Sequence, residues 1–382
     1  MARETPQALF DQTLPAVPEP QPAPRRGRAA ATNPTGRYER FETVPLADDW
    51  PGDTDPEAAA SAAPSAVRTQ VSIDASRSVL TRNTSPDVPF DRSVNPYRGC
   101  EHGCIYCFAR PSHAQLGLSP GLDFETRLLV KPRAPALLAA ALRKRGYTPQ
   151  PIAIGTNTDP YQPIERDHRI MRGVLGVLEA FNHPVCITTK GAAVTDDIDL
   201  LARMGRRGLA QVTLSLTTLD SRLSRAMEPR AAAPARRLAA IRALARAGVP
   251  VQVNIAPIVP GLTDHELETL LAAAAEAGAK AAHYTVLRLP LEVADLFKDW
   301  LARERPDAAA KVMGRVREMH GGRDYDPAWG RRLKGQGVHA QLIARRFALA
   351  CTRHGLAERL APLRTDLFAV PIAPGDQLTL DL

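Results

Sequence analysis

Aromatic residues make up only 5% of this 382-residue chain, tryptophan occurs three times and cysteine five times. Five is an odd count, and three of the five fall between positions 100 and 107. That excludes a framework of paired, dispersed disulfides. No run reaches the roughly 18 apolar residues that read as a membrane span. The opening stretch, MARETPQALFDQTLPAVPEPQPAPRRGR, contains no apolar core of signal-peptide length. The expectation is a cytoplasmic protein in a reducing compartment, with no membrane partner. A second C-x-x-C pair, which a four-ligand structural zinc site would want, is also missing. Net charge is +8, but no basic run is interleaved with aromatics. The excess arginine first reads as solvated helix faces such as RAAAPARRLAAIRALARAG, although a basic body also suits an anionic partner.

The charge is unevenly spread. Residues 1–75 hold 7 Lys and Arg against 11 Asp and Glu, and the rest holds 42 against 30. The same first 75 residues carry 11 of the 34 prolines and no sustained apolar period, so they read as a disordered acidic tail. From about residue 85 short β-branched runs recur at 151–156, 184–190, 210–218, 249–259 and 282–289, with an earlier one at 93–97. Amphipathic stretches at 134–145, 164–180, 196–205, 232–247 and 263–277 separate them. TDHE at 263–266 reads as a capping box of Thr263 and Glu266. Strands apolar on both faces and alternating with helices predict a parallel sheet covered by helices. Each strand ends in a polar cluster: GTNTDPY, TTKG, SLTTLD, NIAPIVPG. Polar groups gathered at the C-terminal strand ends favour a β/α barrel over a doubly wound sheet. The predicted fold is therefore α/β, a partial TIM-type barrel of six β/α units over 85–300 with a helical extension over 301–382. Within that extension, GGRDYDPAWGRRLKGQG reads either as a loop over the barrel mouth or as a plain surface connection.

The stretch RGCEHGCIYCFAR, 98–110, places Cys100, Cys104 and Cys107 in one loop. Three thiolates can hold three irons of a four-iron, four-sulfur cube and leave the fourth iron open. Zinc is the alternative metal, but His102 sits between two of the cysteines and His113 would have to swing back alone. The spacing C-x3-C-x2-C, with Tyr106 just before the last cysteine, resembles the signature of the radical S-adenosylmethionine (SAM) superfamily. The wider pattern NPYRGCEHGCIYCFAR, then GTNTDPYQPIE, then TTK, resembles the branch related to spore photoproduct lyase, over roughly 85–300.

That resemblance implies a [4Fe-4S] cluster held by Cys100, Cys104 and Cys107, whose open iron binds SAM. It implies an enzyme that cleaves SAM reductively to a 5′-deoxyadenosyl radical, which takes a hydrogen atom from a substrate. It implies a one-electron donor such as flavodoxin or ferredoxin, and nucleic acid is a candidate substrate. By position in the family pattern, Tyr106 lies near the adenine and Lys190 near the methionine carboxylate. Ser215 corresponds to the residue that hydrogen-bonds the ribose, and Asn254, a polar break in VQVNIAPIV, is a further contact. The family usually offers a Gly-Gly-Glu-like stretch after the second strand. Here Gly155, Thr156 and Asn157 stand there instead, and Asp159 either meets the methionine ammonium or makes an Asx-turn before Pro160. Arg225 and Arg230 could reach a carboxylate or lie on the surface. Cys186 and Cys351 read as packing residues. Spore photoproduct lyase has a hydrogen-donating cysteine at the end of its second strand; PIAIGTNTDPY has none, so thymine-dimer repair is not expected. Two other readings stay open: a non-enzymatic iron–sulfur or zinc protein that binds nucleic acid, and a SAM-dependent methyl transferase, for which no acceptor-activating base is evident.

Overall fold

The computed structural model describes residues 26–39 and 67–372. Its main sheet contains β2 (Leu80–Arg82), β3 (Arg92–Val94), β6 (Ile152–Ile154), β7 (Val185–Thr189), β8 (Ala210–Leu216), β9 (Val251–Ile258) and β10 (Ala281–Val286). From β3 to β10 the six strands are parallel, and each pairs with the next in chain order. β2 adds antiparallel outside β3. A doubly wound sheet reverses its strand order at a switch point, whereas a barrel wall does not. The observed order is that of a barrel wall, left open between β10 and the β2–β3 hairpin.

A smaller sheet joins β4 (Tyr97–Arg98) and β5 (Arg127–Val130), both within the crossover from β3 to β6, to β1 (Gln70–Ile73), which precedes the main sheet in the chain. The helices are α1 (Leu122–Thr126), α2 (Ala134–Leu142), α3 (Glu165–His168), α4 (Ile170–Ala180), α5 (Ile198–Arg206), α6 (Ser221–Met227), α7 (Pro234–Arg246), α8 (Leu267–Ala277), α9 (Val293–Glu304), α10 (Pro306–Met319) and α11 (Gly337–His354). The stretch expected as one helix over 164–180 is broken at Arg169, whose φ of 48° is left-handed. Among the described residues no helix is long and apolar enough to cross a membrane.

Three expectations need correction. First, the strands are not apolar on both faces. Val185, Ile187, Val212, Leu214, Val251, Val253 and Ile255 pack in the main core, while Cys186, Thr188, Thr213, Gln252 and Asn254 alternate with them and stay partly exposed. Period-two alternation puts this second set on the opposite face of the sheet, away from the helices. Cys186 belongs to it, in register with Gln211, and so lies outside the helix-packed core in which Cys351 is buried. Second, Thr263 and Glu266 form no capping box. Glu266 instead accepts from the Leu219 amide at 2.7 Å and from the Thr218 hydroxyl, tying down the loop after β8.

Third, the acidic tail is not structureless to residue 75. Arg28, Ala29 and Ala30 are buried, and β1 pairs with β5. Small side chains let the backbone of this segment run against α1: the Leu122 amide donates to Thr32 O at 3.0 Å. The rest of the tail, 1–25 and 40–66, lies outside the described residues.

The C-terminal part does more than extend the chain. At the outer edge of β10 the Val286 amide donates to Leu333 O at 2.9 Å, Lys334 Nζ donates to Tyr284 O at 2.8 Å, and the Ala282 amide donates to Ala357 O at 2.9 Å. Unpaired edge groups are thereby covered. The same loop reaches the far side of the opening, where the Gly330 amide donates to Asp87 Oδ1 at 2.8 Å and Arg332 pairs with Asp87. The stretch 321–336 thus bridges the seam of the barrel, the first of its two sequence readings in modified form.

α9 and α10 form a second core with Cys104, Ile105, Tyr106, Leu223 and Met227. Trp300 is fully buried there, and its indole donates to Ala226 O at 3.1 Å. Truncating a buried tryptophan typically costs about 3–5 kcal/mol. Trp300→Ala is therefore expected to lower the unfolding free energy by about that amount in urea titration. Iron uptake should fall with it, because the indole packs in the same cluster as Cys104.

Candidate functional site

The cysteine loop follows β4 as a run of tight turns. The Cys100 amide donates to Phe124 O at 2.9 Å, the Gly103 amide to Cys100 O at 3.2 Å and the Cys107 amide to Cys104 O at 3.1 Å. Gly103 has a φ of 66°, and a Cβ on it would lie 2.7 Å from Glu125 Oε2, so the turn requires glycine. Arg110 fixes the loop from below. Its Nε donates to Cys104 O at 2.9 Å, Nη1 to Pro120 O at 3.1 Å and Gly121 O at 2.8 Å, and Nη2 to Gly103 O at 3.0 Å and Glu125 Oε1 at 2.6 Å. Both side chains of this pair are fully buried. Glu125 also accepts from the Ala29 and Ala30 amides at 3.2 and 3.0 Å.

The loop after β6 grips the cysteine loop from the side. Thr158 Oγ1 donates to Gly99 O at 2.6 Å, and the Glu101 amide donates to Gln162 Oε1 at 2.8 Å. Asp159 makes the Asx-turn, accepting from the Tyr161 amide at 2.9 Å. It also accepts from Thr189 Oγ1 at 2.6 Å and the Lys190 amide at 2.7 Å, and its Oδ2 lies 3.2 Å from His102 Nδ1. Burial raises its pKa, but His102 and these donors prevail and bring it down to about 2. Gly155 is held at a φ of 91° with a Cβ position 2.0 Å from Thr188 O, a close approach of two backbones. Thr156 Oγ1 accepts from Asn95 Nδ2 at 3.1 Å, and the Asn157 amide donates to Asn95 Oδ1 at 3.0 Å.

A second charged group lies on the other side of the cysteines. Tyr106 is buried and donates its hydroxyl to Glu228, which also accepts from Thr217 Oγ1 at 2.7 Å and from the buried Arg237. Arg237 donates in turn to Ser215 O at 3.1 Å. Burial raises the pKa of Glu228, and Arg237 and Lys190 outweigh it, taking the carboxyl to about 2. Lys190 Nζ sits 5.7 Å above the Tyr106 ring, and among the described residues no carboxylate is within ion-pair distance of it. Ser215 and Asn254 are cross-strand partners on β8 and β9, and Asn254 Oδ1 is buried without a hydrogen-bond partner. Arg230 forms an ion pair with Glu101 at 3.2 Å, whereas Arg225 is exposed.

Apart from Arg225 on α6 and Arg230 beyond it, the residues named for the site from sequence lie in the cysteine loop, in the loops after β6 and β7, or on β8 and β9. Sequence reasoning missed Arg110, Glu125, Thr158, Gln162, Thr217, Glu228 and Arg237. Arg110, Thr158, Gln162, Thr217 and Arg237 lay inside stretches quoted above for other reasons, whereas Glu125 and Glu228 lay in none. His113 Nε2 meets Arg127 O at 2.9 Å, and its Nδ1 is buried without a hydrogen-bond partner.

The residues fit an iron–sulfur cluster. Burial pushes all three thiols above their ordinary range, and Asp159 beside Cys100 and Glu228 beside Cys104 add to it. Ionised together they need a cationic centre. Among the described residues no three His, Cys, Asp or Glu side chains converge on a single ion. An orphaned Asn254 oxygen and an unpaired Lys190 ammonium fit a polar cofactor bearing a carboxylate.

Two outcomes follow from the buried pairs. Glu125→Gln leaves the Arg110 charge without its counterion, and is expected to cost about 3–5 kcal/mol in denaturant titration. Glu228 is depressed in the fold from an ordinary 4.5 to about 2. Its contribution is complete above the unfolded value and is lost as pH falls through that window. Glu228→Gln should be less stable at neutral pH, with a shallower loss between pH 4.5 and 2 in midpoints measured against pH.

The comparisons agree with this geometry. The family model for the radical SAM superfamily matches residues 94–274. An uncharacterised protein of Mycobacterium tuberculosis is 38% identical over 289 residues, covering 75% of this chain and 81% of its own length. An uncharacterised protein of Methanocaldococcus jannaschii is 27% identical over 173 residues, covering 45% and 62%. In fold the chain is similar to spore photoproduct lyase complexed with dinucleoside spore photoproduct, with a TM-score of 0.54 at 16% identity over 75% of this chain and 80% of that one. A spore photoproduct lyase variant with bound AdoMet and the same dinucleoside gives 0.53 at 16% identity, with the same coverage. With the cysteine loop at the strand ends of a six-stranded parallel wall, and a relative sharing more than a third of its residues over most of both chains, this chain belongs to the radical SAM superfamily.

Proposed function

We propose that the chain is an enzyme in which Cys100, Cys104 and Cys107 hold a [4Fe-4S] cluster, and that its substrate is a nucleic acid. When bound and reduced, the cluster supplies the electron that splits SAM into methionine and a 5′-deoxyadenosyl radical, which takes a hydrogen atom from the substrate. One observation carries the reading: three thiols, of the buried Cys100 and Cys104 and the half-buried Cys107, share one loop preset by a guanidinium whose hydrogen bonds are complete. No fourth thiol approaches among the described residues, since Cys186 and Cys351 lie in β7 and α11.

Around that loop the chain positions the cofactor. The Lys190 ammonium takes the methionine carboxylate, and the backbone of Gly155, Thr156 and Asn157 takes the ammonium. Tyr106, anchored by Glu228, presents its ring to the adenine, while Ser215 and Asn254 orient the ribose. Asp159 serves chiefly to hold the loops after β6 and β7 together, because both its oxygens already accept hydrogen bonds. α9 and α10 keep water from the underside of the cysteine loop. A flavodoxin or ferredoxin supplies the electron. Nucleic acid is favoured by the dinucleoside bound to the structurally similar lyase and by the excess of arginine in the body. Repair of a thymine dimer is not part of the proposal, because β6 and the stretch that directly follows it, PIAIGTNTDPY, contain no cysteine.

The test is anaerobic. The protein is reconstituted with iron and sulfide, reduced with dithionite and given SAM, with and without single-stranded DNA, and 5′-deoxyadenosine is quantified by mass spectrometry. The wild type should form it, and Cys100→Ala, Cys104→Ala and Cys107→Ala should not. Lys190→Ala should weaken SAM binding about tenfold, the worth of one charge-assisted hydrogen bond. Retention of zinc without iron, or an iron-loaded protein that leaves SAM intact under both conditions, overturns the reading.

A further inference from the structure

Arg288 lies two residues beyond β10, at the same end of the wall as the cysteine loop. Its guanidinium carbon is 4.8 Å from the ring centre of Phe108, the residue after Cys107, and 6.0 Å from that of Tyr325 in the seam loop. Nη2 donates a long hydrogen bond of 3.4 Å to the Tyr325 hydroxyl. Nε is buried and has no partner. The nearby acids form their ion pairs with other cations. Asp87 pairs with Arg332, Asp326 with Arg331 at 3.1 Å, and Asp324 with Arg317 and Lys298 at 2.8 and 3.3 Å. Among the described residues Arg288 forms no ion pair, and a partly buried cation so placed is a ready anion site.

The surroundings specify the anion. A guanidinium held between two rings keeps its planar N–H fork aimed in one direction, which matches the oxygens of a phosphate. Beside it Phe108 is 47% exposed, and Trp329, farther along the same seam loop, is 62% exposed. Exposed rings next to a basic group are the elements with which proteins hold unpaired bases and their backbone. The seam loop is braced on both sides, by Leu333 on β10 and by Asp87 on the β2–β3 hairpin, so Tyr325 is held against Arg288 without a ligand.

We propose that Arg288 and Phe108 form the substrate anchor: the guanidinium binds one phosphate of a single-stranded or extruded nucleotide, and the Phe108 ring stacks on its base. The inference rests on the function proposed above and names the subsite that presents the substrate. Lys190 is given to the cofactor, which leaves Arg288 as the unpaired cation on the substrate side. Because Phe108 adjoins Cys107, a nucleotide held there lies next to the cysteine loop.

The experiment measures binding of a fluorescein-labelled short oligothymidylate to the reconstituted full-length protein by fluorescence anisotropy, at fixed low salt and without SAM. Arg288→Gln should raise Kd about tenfold, the loss of one charge-assisted contact. Arg288→Lys, which keeps the charge but not the fork, should fall between the two. Phe108→Ala should weaken binding by at least about fivefold, as loss of one base-stacking ring implies. Arg242→Gln, an exposed arginine on α7, should bind as the wild type does. Unlabelled thymidylyl-thymidine should compete, and thymidine, which lacks the phosphate, should not. Iron content and the melting curve of each variant identify any that fail to fold. Unchanged affinity in folded Arg288→Gln, or an equal loss in Arg242→Gln, overturns the anchor and leaves the radical chemistry standing. A wild type that forms 5′-deoxyadenosine but does not bind the oligonucleotide overturns the nucleic-acid substrate as well. Absence of 5′-deoxyadenosine in the earlier assay, with tight and Arg288-dependent DNA binding, would instead retain the anchor and remove the enzyme.

Discussion

An arginine has five N–H groups and no acceptor, so burying one completely is tolerable only where five oxygens converge on it. Arg110 meets that demand with four carbonyls from the two ends of its own loop and one carboxylate from α1. The carbonyls of residues 103 and 104 are thereby fixed on Arg110. Burying a charge is expensive even when it is paired, and such pairs are weak arguments for net stability. Here the return is conformational: the loop can take few shapes other than the one that satisfies Arg110. Glu125 extends the same constraint to the chain before the barrel. Its oxygens accept from two alanine amides 95 and 96 residues away, so a stretch that composition assigns to the tail becomes part of the site's foundation.

Above that foundation the charges are sorted by whether they are paired. Glu228 and Arg237 neutralise each other in full burial, and they serve to fix Tyr106, Thr217 and the Ser215 carbonyl in one network. Asp159 is saturated by donors from three segments and acts as a rivet between loops. Two cations remain without carboxylate partners, Lys190 on the β7 side and Arg288 on the β10 side, each lying over an aromatic ring next to the cysteines. A protein that paired every charge could hold its fold equally well. Under the proposed function these two cations would receive anions from two directions.

The parallel strands, most helix positions and the three cysteines were legible in the sequence, because each depends on local periodicity or on spacing within one loop. The helix break at Arg169 was not, since it rests on a single left-handed residue rather than on proline or glycine. The capping box of Thr263 and Glu266 had correct spacing, but Glu266 found better donors in Thr218 and Leu219, nearly fifty positions earlier. The same limit explains why Arg237, Gln162 and Glu125 went unseen. A buried polar residue on a helix has no signature of its own until its partner, tens of residues away, is known. The polar row Cys186, Thr188, Thr213, Gln252 and Asn254 was hidden differently. In a wall that encloses an open interior, the inner face tolerates small and polar residues between β-branched ones, and short strands then read as apolar throughout.

Six strands cannot close a barrel that eight would fill, and the missing wall leaves backbone groups on β10 and the β2–β3 hairpin without neighbours. Such edges invite pairing with other chains unless they are covered. This chain covers one with its own C-terminal part, through Leu333, Lys334 and Ala357, and links the other through Asp87. The solution has a functional consequence, because the bridging loop must cross the seam close to the strand ends. It therefore brings Tyr325 onto Arg288, which in turn lies over Phe108 of the cysteine loop. Closing the fold and shaping the strand-end rim are therefore one structural act: the stretch 321–336 that seals the edge also carries Tyr325, whose ring lies against Arg288.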